Sequence, residues 1–248
     1  MSGTGAGADF TEPTLGYWQA LHDGVPAGVA DTPPYRFGYP ARLPDGRVLV
    51  LPLRAVPPGE RAVASLIANQ ASHQVVGALA GHMAALARDL GTELVVGLPT
   101  LGLAFAAQVA ERLGQTRYAP LGYSAKFWYR EELSEPVSSL TSPGGGKRLR
   151  VDPNLLPLIE GRRVVIVDDA ISTGATACAA VRLLARLGAE VAGIVVAMKQ
   201  TRAWEEAVAG LAGEGLAVPP VRAVYGCPLF ARFPEGWVPV EGTLPDAP

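Results

Sequence analysis

The sequence has few cysteines and no long uninterrupted apolar run, and each scarcity excludes a class of protein. Cys178 and Cys227 are the only cysteines in 248 residues, and no set of candidate metal ligands surrounds them. This usage argues against a disulfide-stapled or zinc-bound fold. Charged residues interrupt every apolar stretch before it reaches membrane-spanning length. We therefore expect no membrane segment and a reduced, cytoplasmic protein.

The chain also lacks a surplus of positive charge. It has 21 basic and 23 acidic residues, for a formal net charge of -2. That balance argues against a surface built for nucleic acid but permits a local basic site for an anionic metabolite. Residues 1–8 lack the basic start and apolar core of a secretory signal, so we expect a disordered tail there.

Lysine is scarce among the basic residues. Lys126, Lys147 and Lys199 stand among 18 arginines. Because a compact ammonium and a planar guanidinium bind differently, each lysine is a mild hint of a specific role, although random usage explains the pattern equally well.

What the sequence does contain is an alternation of strand-like and helical segments. In chain order we predict a helix at about residues 72–90, a strand at 93–98, a helix at 104–113, strands at 117–123 and 163–167, a helix at 175–187 and a strand at 190–198. Such alternation predicts an α/β fold built on a doubly wound parallel sheet with right-handed crossovers.

Three segments lack this regular alternation. Residues 31–58 are rich in proline and glycine, and they predict an irregular lid or hairpin outside the core, with one strand-like run. Residues 124–152 predict a mobile excursion such as a two-stranded flap, and residues 218–248 an edge strand followed by a wrap over the site. The expected division is a disordered tail and irregular lid in 1–60, one main domain in 61–230 and a C-terminal wrap or tail in 231–248, with the terminal segments forming a small hood.

The most informative segment is residues 164–176, Val-Val-Ile-Val-Asp-Asp-Ala-Ile-Ser-Thr-Gly-Ala-Thr. Its apolar run without alternation is typical of a parallel strand buried on both faces. The acid pair that follows then emerges at the carboxyl edge of the sheet, where ligands of open α/β sheets bind. Asp168 and Asp169 can accept hydrogen bonds from vicinal ribose hydroxyls or from the hydration shell of a magnesium ion.

A small hydroxyl-rich turn then opens the next helix. Its backbone N–H groups and three hydroxyls can face one phosphate at the positive helix end. The residues of this turn are Ser172, Thr173, Gly174, Ala175 and Thr176. An acid pair alone could merely cap a helix, but strand, acid pair and turn in this order indicate a site for a phosphorylated sugar. No Gly-Lys-Ser or Gly-Lys-Thr ends the turn, which argues against nucleoside triphosphate hydrolysis.

This thirteen-residue string resembles the signature of the type I phosphoribosyltransferases, which bind 5-phosphoribosyl 1-pyrophosphate (PRPP). The resemblance implies that Asp168 and Asp169 hold the ribose and a Mg²⁺ cofactor, and that the turn holds the 5′-phosphate. It also implies a pyrophosphate loop, often with an unusual cis peptide. Thr100, Leu101 and Gly102 follow an earlier strand and fit that loop, although a strand-to-helix turn needs glycine for geometric reasons alone.

A loop at residues 126–150 fits a flap that closes over the substrate. Lys126 and Arg130 at its start could reach the pyrophosphate, and closure would exclude water from an oxocarbenium-like transition state. Phe127, Trp128 and Tyr129 are adjacent rings that need a partner surface. The closing flap and a subunit interface explain them equally well, and we expect a homodimer.

Residues 65–229 are similar to the xanthine phosphoribosyltransferases, relatives of the adenine enzymes. Asn69 and Lys199 stand where those enzymes contact the base, the lysine reading a purine carbonyl. The alternatives are that Asn69 caps the following helix and that Lys199 extends along the surface, with Trp204 covering the base instead. The resemblance implies transfer of phosphoribosyl from PRPP to a purine of xanthine type in nucleotide salvage.

Departures from the family pattern leave other points open. Ala175 replaces a glycine common in such turns, which is tolerable if its φ is negative. Ser172 stands where hypoxanthine-guanine enzymes keep an aspartate base, so proton removal is left to Glu131, Glu132 or water. The alternatives in function are an orotate-type enzyme and a non-catalytic PRPP-sensing regulator. A regulator needs a DNA-binding module, and no basic helical pair precedes residue 61.

Overall fold

The computed structural model of the protein describes residues 15–137 and 146–246. The whole of the predicted tail at residues 1–8 and the middle of the predicted flap, residues 138–145, lie outside the described residues. The strands are, in chain order, β1 Gly38–Arg42, β2 Val48–Val56, β3 Arg61–Ala64, β4 Leu94–Gly97, β5 Ala119–Pro120, β6 Ser134–Pro136, β7 Arg148–Arg150, β8 Arg163–Ile171, β9 Glu190–Gln200, β10 Val221–Cys227, β11 Leu229–Phe233 and β12 Gly236–Pro239. The α-helices are α1 His73–Arg88, α2 Leu103–Arg112, α3 Leu156–Ile159, α4 Ala175–Arg186 and α5 Trp204–Ala209.

The central sheet is parallel and has the strand order β10-β9-β8-β4-β5. Helices cover both of its faces, and the apolar residues of β8 alternate between two cores. Val165 and Val167 pack with α1 and α2, whereas Val164 and Ile166 pack with α3 and α4. The predicted doubly wound sheet, with its middle strand buried on both faces, is confirmed.

The two long helices begin where the sequence indicates. The Ser72 side chain caps α1 by accepting a hydrogen bond from the Val75 N–H at 3.2 Å. Gly174 precedes α4 with φ of 78°, a left-handed conformation that glycine adopts readily. The helices predicted at 72–90 and 175–187 are therefore confirmed to within two residues at each end.

A second, antiparallel sheet joins the two ends of the chain in the order β1-β2-β3-β11-β12. We call it the hood. Its N-terminal part meets its C-terminal part where Val63 of β3 pairs with Leu229 of β11. The hood expected from the terminal segments is thus a continuous five-stranded sheet, and β11 crosses the expected boundary at residue 230.

Residues 31–58, expected to form an irregular lid or hairpin outside the core, instead contribute a regular hairpin to the core. β1 and β2 pair from Gly38 to Arg42, and Leu49, Leu51 and Leu53 are fully buried. These leucines share one core with α1, α2 and the central sheet. The gain from burying aliphatic side chains outweighs the turn-forming bias of the local composition.

The short strand β5, the long strand β8 and the pair β6–β7 can each be compared with the predictions. β5 contains only Ala119 and Pro120, although the Leu121 N–H still donates a hydrogen bond to the Gly97 carbonyl of β4 at 2.9 Å; the proline is tolerated because β5 is an edge strand. β8 continues past residue 167 to Ile171 by pairing with β9. β6 and β7 pair as the predicted two-stranded flap base. Within the described residues, no helix combines the length and apolarity needed to cross a bilayer.

Candidate active site

The acid pair lies directly against the turn that follows β4. β4 and β8 are neighbours, with Gly97 opposite Val167, so the chain segments after both strands meet at one edge. A Cβ added to Gly102 would lie 2.5 Å from Asp168 Oδ1 and 2.7 Å from its Cα. The Gly102 N–H donates a hydrogen bond to the Asp168 carboxylate. Only a glycine therefore allows this approach between the predicted pyrophosphate loop and the acid pair.

The electrostatics of the acid pair favour the binding of a cation or of hydroxyl groups that donate hydrogen bonds. Burial raises the pKa of Asp168 well above its usual range, and the negative charge of Asp169 raises it further. Burial also raises the pKa of Asp169. Two neighbouring carboxylates that lack full hydration are stabilised by a cation or by hydroxyl donors, which is what a metal ion or a ribose diol supplies.

The predicted phosphate turn lines a cavity of about 150 Å³ together with Asp168. All five turn residues, Ser172, Thr173, Gly174, Ala175 and Thr176, contribute to its wall. The positive φ falls on Gly174. Among the described residues, the non-glycine positions with positive φ are Trp18 and Thr201. The φ of Ala175 is therefore negative, which is the condition under which alanine can replace the glycine common in such turns. Asp168 and the turn therefore share one concave site at the start of α4.

Two residues that the sequence did not single out for this site are connected to the turn. A side-chain hydrogen bond links Tyr123 to Thr176, and the charges of Asp168 and Asp169 help raise the pKa of this tyrosine, after the larger effect of burial. The Lys147 ammonium lies 5.3 Å from the centre of the Tyr123 ring. The rarity of lysine was a signal for Lys147. For Tyr123 the sequence contained no signal other than its position next to a strand.

The predicted pyrophosphate loop has the backbone that the resemblance implied. The peptide between Pro99 and Thr100 is cis. Thr100 is exposed, Leu101 is half-buried, and Gly102 precedes the first turn of α2. The loop therefore presents its threonine and its backbone at the same edge as the acid pair.

The described contacts do not bring the predicted flap cations to the acid pair. Lys126 is exposed, and no side-chain partner for it occurs in the described part of the chain. Arg130 forms an ion pair with Glu132 at 3.5 Å.

Both candidate proton acceptors on the flap are engaged by arginines. Glu131 pairs with Arg148 at 2.9 Å and with Arg150 at 3.1 Å, and the Arg150 hydrogen bond lowers the pKa of this carboxyl. Glu132 pairs with Arg130. A carboxylate with a lowered pKa is a weaker base, which favours water over Glu131 as the proton acceptor.

The two predicted base-contacting residues differ in their surroundings. Asn69 is exposed on a 3-10 turn, and Ser72, not Asn69, caps α1. Lys199 is buried, with 7% of its surface exposed, and lies opposite Ile171 at the end of β8. Its ammonium lies 5.5 Å from the centre of the Trp204 ring. The alternatives of a helix cap and an extended surface lysine are therefore both wrong.

The acid pair also fits a magnesium ion. Among the described residues, no group of three or more histidines, cysteines, aspartates or glutamates could hold a metal ion. Magnesium in proteins usually keeps several waters and binds one or two carboxylates together with substrate phosphates. Two carboxylates beside a phosphate-sized cavity match that donor set, with the remaining ligands left to substrate and water.

Comparison with known proteins gives a family match and similar relatives. The family model described as the phosphoribosyl transferase domain matches residues 63–211. An adenine phosphoribosyltransferase of Novosphingobium aromaticivorans is 40% identical over 114 residues, which cover 44% of this chain and 58% of the relative. One from Parafrankia sp. is 37% identical over 125 residues, covering 50% and 64%. The chain thus spans about three fifths of the length of these relatives.

Solved structures share the fold at low sequence identity. An APRTase from Giardia lamblia, complexed with 9-deazaadenine, aligns with a TM-score of 0.54 and 18% identity over 71% of this chain and 93% of that one. An adenine phosphoribosyltransferase from Leishmania tarentolae aligns with a TM-score of 0.52 and 19% identity over 70% and 78%.

These comparisons bear differently on the expectations from sequence. The relatives reported above are named for adenine, so the expected xanthine preference is not supported. The family model covers more than half of the chain, including β4, α2, β8, α4 and β9. The chain therefore belongs to the phosphoribosyl transferase domain family.

Proposed function

We propose that the protein is a purine phosphoribosyltransferase that transfers the phosphoribosyl group of PRPP to a purine base. The observation that carries the proposal is the single cavity lined by Asp168 and by residues 172–176. Carboxylates for a diol and N–H groups for a phosphate, held at this spacing, are the two features that a phosphorylated ribose requires.

Each part of the donor has a proposed position. The 5′-phosphate binds the turn at residues 172–176, and the ribose hydroxyls bind Asp168 and Asp169. The pyrophosphate binds the loop of Thr100, Leu101 and Gly102, where Lys126 and Arg130 approach when the flap closes. Since Gly102 touches Asp168, ribose and pyrophosphate sites are adjacent, as the connected groups of PRPP require.

The reaction is a displacement at the anomeric carbon. A purine ring nitrogen forms the new bond, and the bond from that carbon to the pyrophosphate oxygen breaks, its electron pair leaving with pyrophosphate. The ring nitrogen passes its proton to water, and the product is a nucleoside 5′-monophosphate with inverted configuration. The half-buried acid pair stabilises the positive charge that develops on the sugar, and bound geometry aligns the two reactants.

Magnesium is the proposed cofactor. Bound between the acid pair and PRPP, it would supply charge neutralisation for the departing pyrophosphate. Asp168 and Asp169 would hold it directly or through its waters.

Adenine is the first acceptor to test, because the relatives carry that name. Asn69 and Lys199 are proposed to contact the base. An ammonium only donates hydrogen bonds, so Lys199 favours a purine that turns an acceptor atom toward it. Xanthine presents such atoms as ring carbonyls and stays the alternative acceptor.

The test is a panel of acceptors with PRPP and Mg²⁺, monitored by pyrophosphate release and by chromatography of the nucleotide. We expect consumption of at least one of adenine, xanthine, guanine and hypoxanthine, with loss of activity when Mg²⁺ is chelated. Consumption of orotate alone would replace the purine assignment. PRPP binding by calorimetry without turnover of any base would favour the sensor and refute the enzyme.

A further inference from the structure

The acceptor end of the site already contains a segment of the chain itself. The buried Lys199 ammonium donates a hydrogen bond of 3.1 Å to the backbone carbonyl of Asp246. The two residues are 47 positions apart in sequence. A buried ammonium needs acceptors for its N–H groups, and here the C-terminal segment at residues 244–246 supplies one.

The same segment places a ring on the end of β10. A Cβ added to Gly226 would lie 2.8 Å from the Pro245 carbonyl oxygen and 3.0 Å from its Cγ. Gly226 is the β10 residue opposite Lys199. The segment therefore places the five-membered ring of Pro245 against Gly226 and the backbone carbonyl of Asp246 against Lys199. A heterocyclic base would likewise bring a ring and a hydrogen-bond acceptor to this place.

A cavity between this segment and the hood has room for a ligand. It measures about 410 Å³, and Tyr35, Tyr39, Tyr225 and residues 244–246 are among its lining residues. Tyr225 has 2% of its surface exposed, and its hydroxyl has no hydrogen-bond partner among the described residues. The open space therefore lies on the hood side of the segment, next to Pro245, and Lys199 is not among its lining residues.

Apart from the buried Pro245, the segment is held by weak contacts at its exposed end. Arg202 reaches the Leu244 carbonyl at 3.5 Å and the Asp246 carboxylate at 3.8 Å. The Asp246 side chain is almost fully exposed, and exposed ion pairs contribute little. Thr243, just before the segment, is anchored because its hydroxyl accepts from the Leu229 N–H at 3.0 Å. The segment can therefore leave while the chain up to Thr243 stays in place.

We propose that residues 244–246 are a built-in competitor of the acceptor base, occupying the place beside Lys199 and Gly226 that a flat heterocycle with a hydrogen-bond acceptor takes when it binds. The inference rests on the proposed function. A competitor within the chain lowers the apparent affinity for the base in proportion to the time it occupies the site, and leaves the PRPP site unaffected.

The experiment compares the full chain with a variant that ends after Thr243, using the base that the full chain consumes best. A segment bound nine-tenths of the time would make the KM for the base fall about tenfold on truncation. The KM for PRPP is expected to stay constant. Thermal melting with and without PRPP checks that the truncated chain folds.

A full-length variant, Arg202→Gln, provides an independent arm because it loosens the segment without shortening the chain. We expect its KM for the base to fall by less than on truncation. An unchanged KM in both variants overturns the inference, and so does an increase, which would make the segment a wall of the pocket. Absence of turnover in every variant would refute the proposed function, whereas normal turnover with unchanged KM would refute only the competitor.

Discussion

At the scale of single residues, the proposed function depends most on the acid pair. Asp168 and Asp169 are half-buried, and their pKa values are raised because ionised carboxylates are poorly solvated there. Replacing both with asparagine keeps the size of the side chains but removes the charge that holds a diol, a cation and the developing positive sugar. We expect the Asp168→Asn, Asp169→Asn variant to lose at least about 100-fold in kcat, measured by pyrophosphate release.

The stability of this variant is the internal control. Removing two neighbouring half-buried carboxylates relieves their repulsion and desolvation, so the melting temperature should stay equal or rise. Retention of most activity in a folded variant would contradict the assigned role of the pair.

Gly102 supports a second prediction at this scale. An alanine Cβ would overlap Asp168 and the Leu98 carbonyl, all at 2.8 Å or less, so Gly102→Ala must move the pyrophosphate loop away from the acid pair. A displacement of about 1 Å in a reacting site costs on the order of 100-fold in rate. We expect kcat/KM for PRPP to fall by about that factor in steady-state assays.

Gly81→Ala is the matched control for this substitution. Gly81 lies inside α1, and the nearest atom to an added Cβ is Arg112 Nε at 4.0 Å. Alanine should therefore stabilise the helix by about 0.5–1 kcal/mol and leave the kinetics unchanged. Equal kinetic effects of the two substitutions would show that the contact at Gly102 has no special role.

At the scale of elements, the hood is part of the core. Leu51 of β2 is fully buried among residues of the core shared with α1 and α2. Leu51→Ala should lower the free energy of unfolding by about 2–5 kcal/mol, because it removes apolar burial and leaves a cavity. Denaturant titration measures this change.

An exposed leucine of the C-terminal segment is the comparison for Leu51. Leu244 has 52% of its surface exposed, so Leu244→Ala should change stability by less than about 0.5 kcal/mol. If Leu51→Ala were equally mild, the hood would be a lid that the main domain does not need, as its composition first indicated.

At the scale of the whole molecule, the aromatic segment before the flap bears on assembly. Phe127 has 97% of its surface exposed, and its ring packs edge-on against Trp128 at 4.9 Å. The Trp128 indole N–H donates to Asp152 at 3.1 Å, which fixes the pair at the surface. Exposed adjacent rings need a partner surface. We expect a homodimer, and Phe127→Glu should shift it to monomer in sedimentation velocity.

Phe233→Glu is the matched control for assembly, because Phe233 is also an exposed phenylalanine but lies on β11 of the hood. It should leave the dimer intact. A wild-type monomer at micromolar concentration would instead assign the three rings to flap closure.

The sequence predicted the chemistry of the site better than its surroundings. Apolar runs, helix caps and turn residues are local, so the parallel sheet, α1, α4, the acid pair and the phosphate turn were all readable from residues near each other in the chain. The burial of the proline-rich segment 31–58 was misread because local composition favoured turns outside the core, whereas the leucines of the β1–β2 hairpin pack in one core with α1, α2 and the central sheet.

The sequence by itself determined which groups can hold a phosphorylated sugar, because carboxylates, hydroxyls and glycine are fixed by residue type and their order by the chain. Only the tertiary structure decided which groups meet. β4 and β8 become neighbours across more than sixty residues, which sets Gly102 against Asp168. β9 and the C-terminal segment meet at Lys199. Such contacts depend on strand order and burial, which are properties of the packed sheet and of no single stretch of sequence.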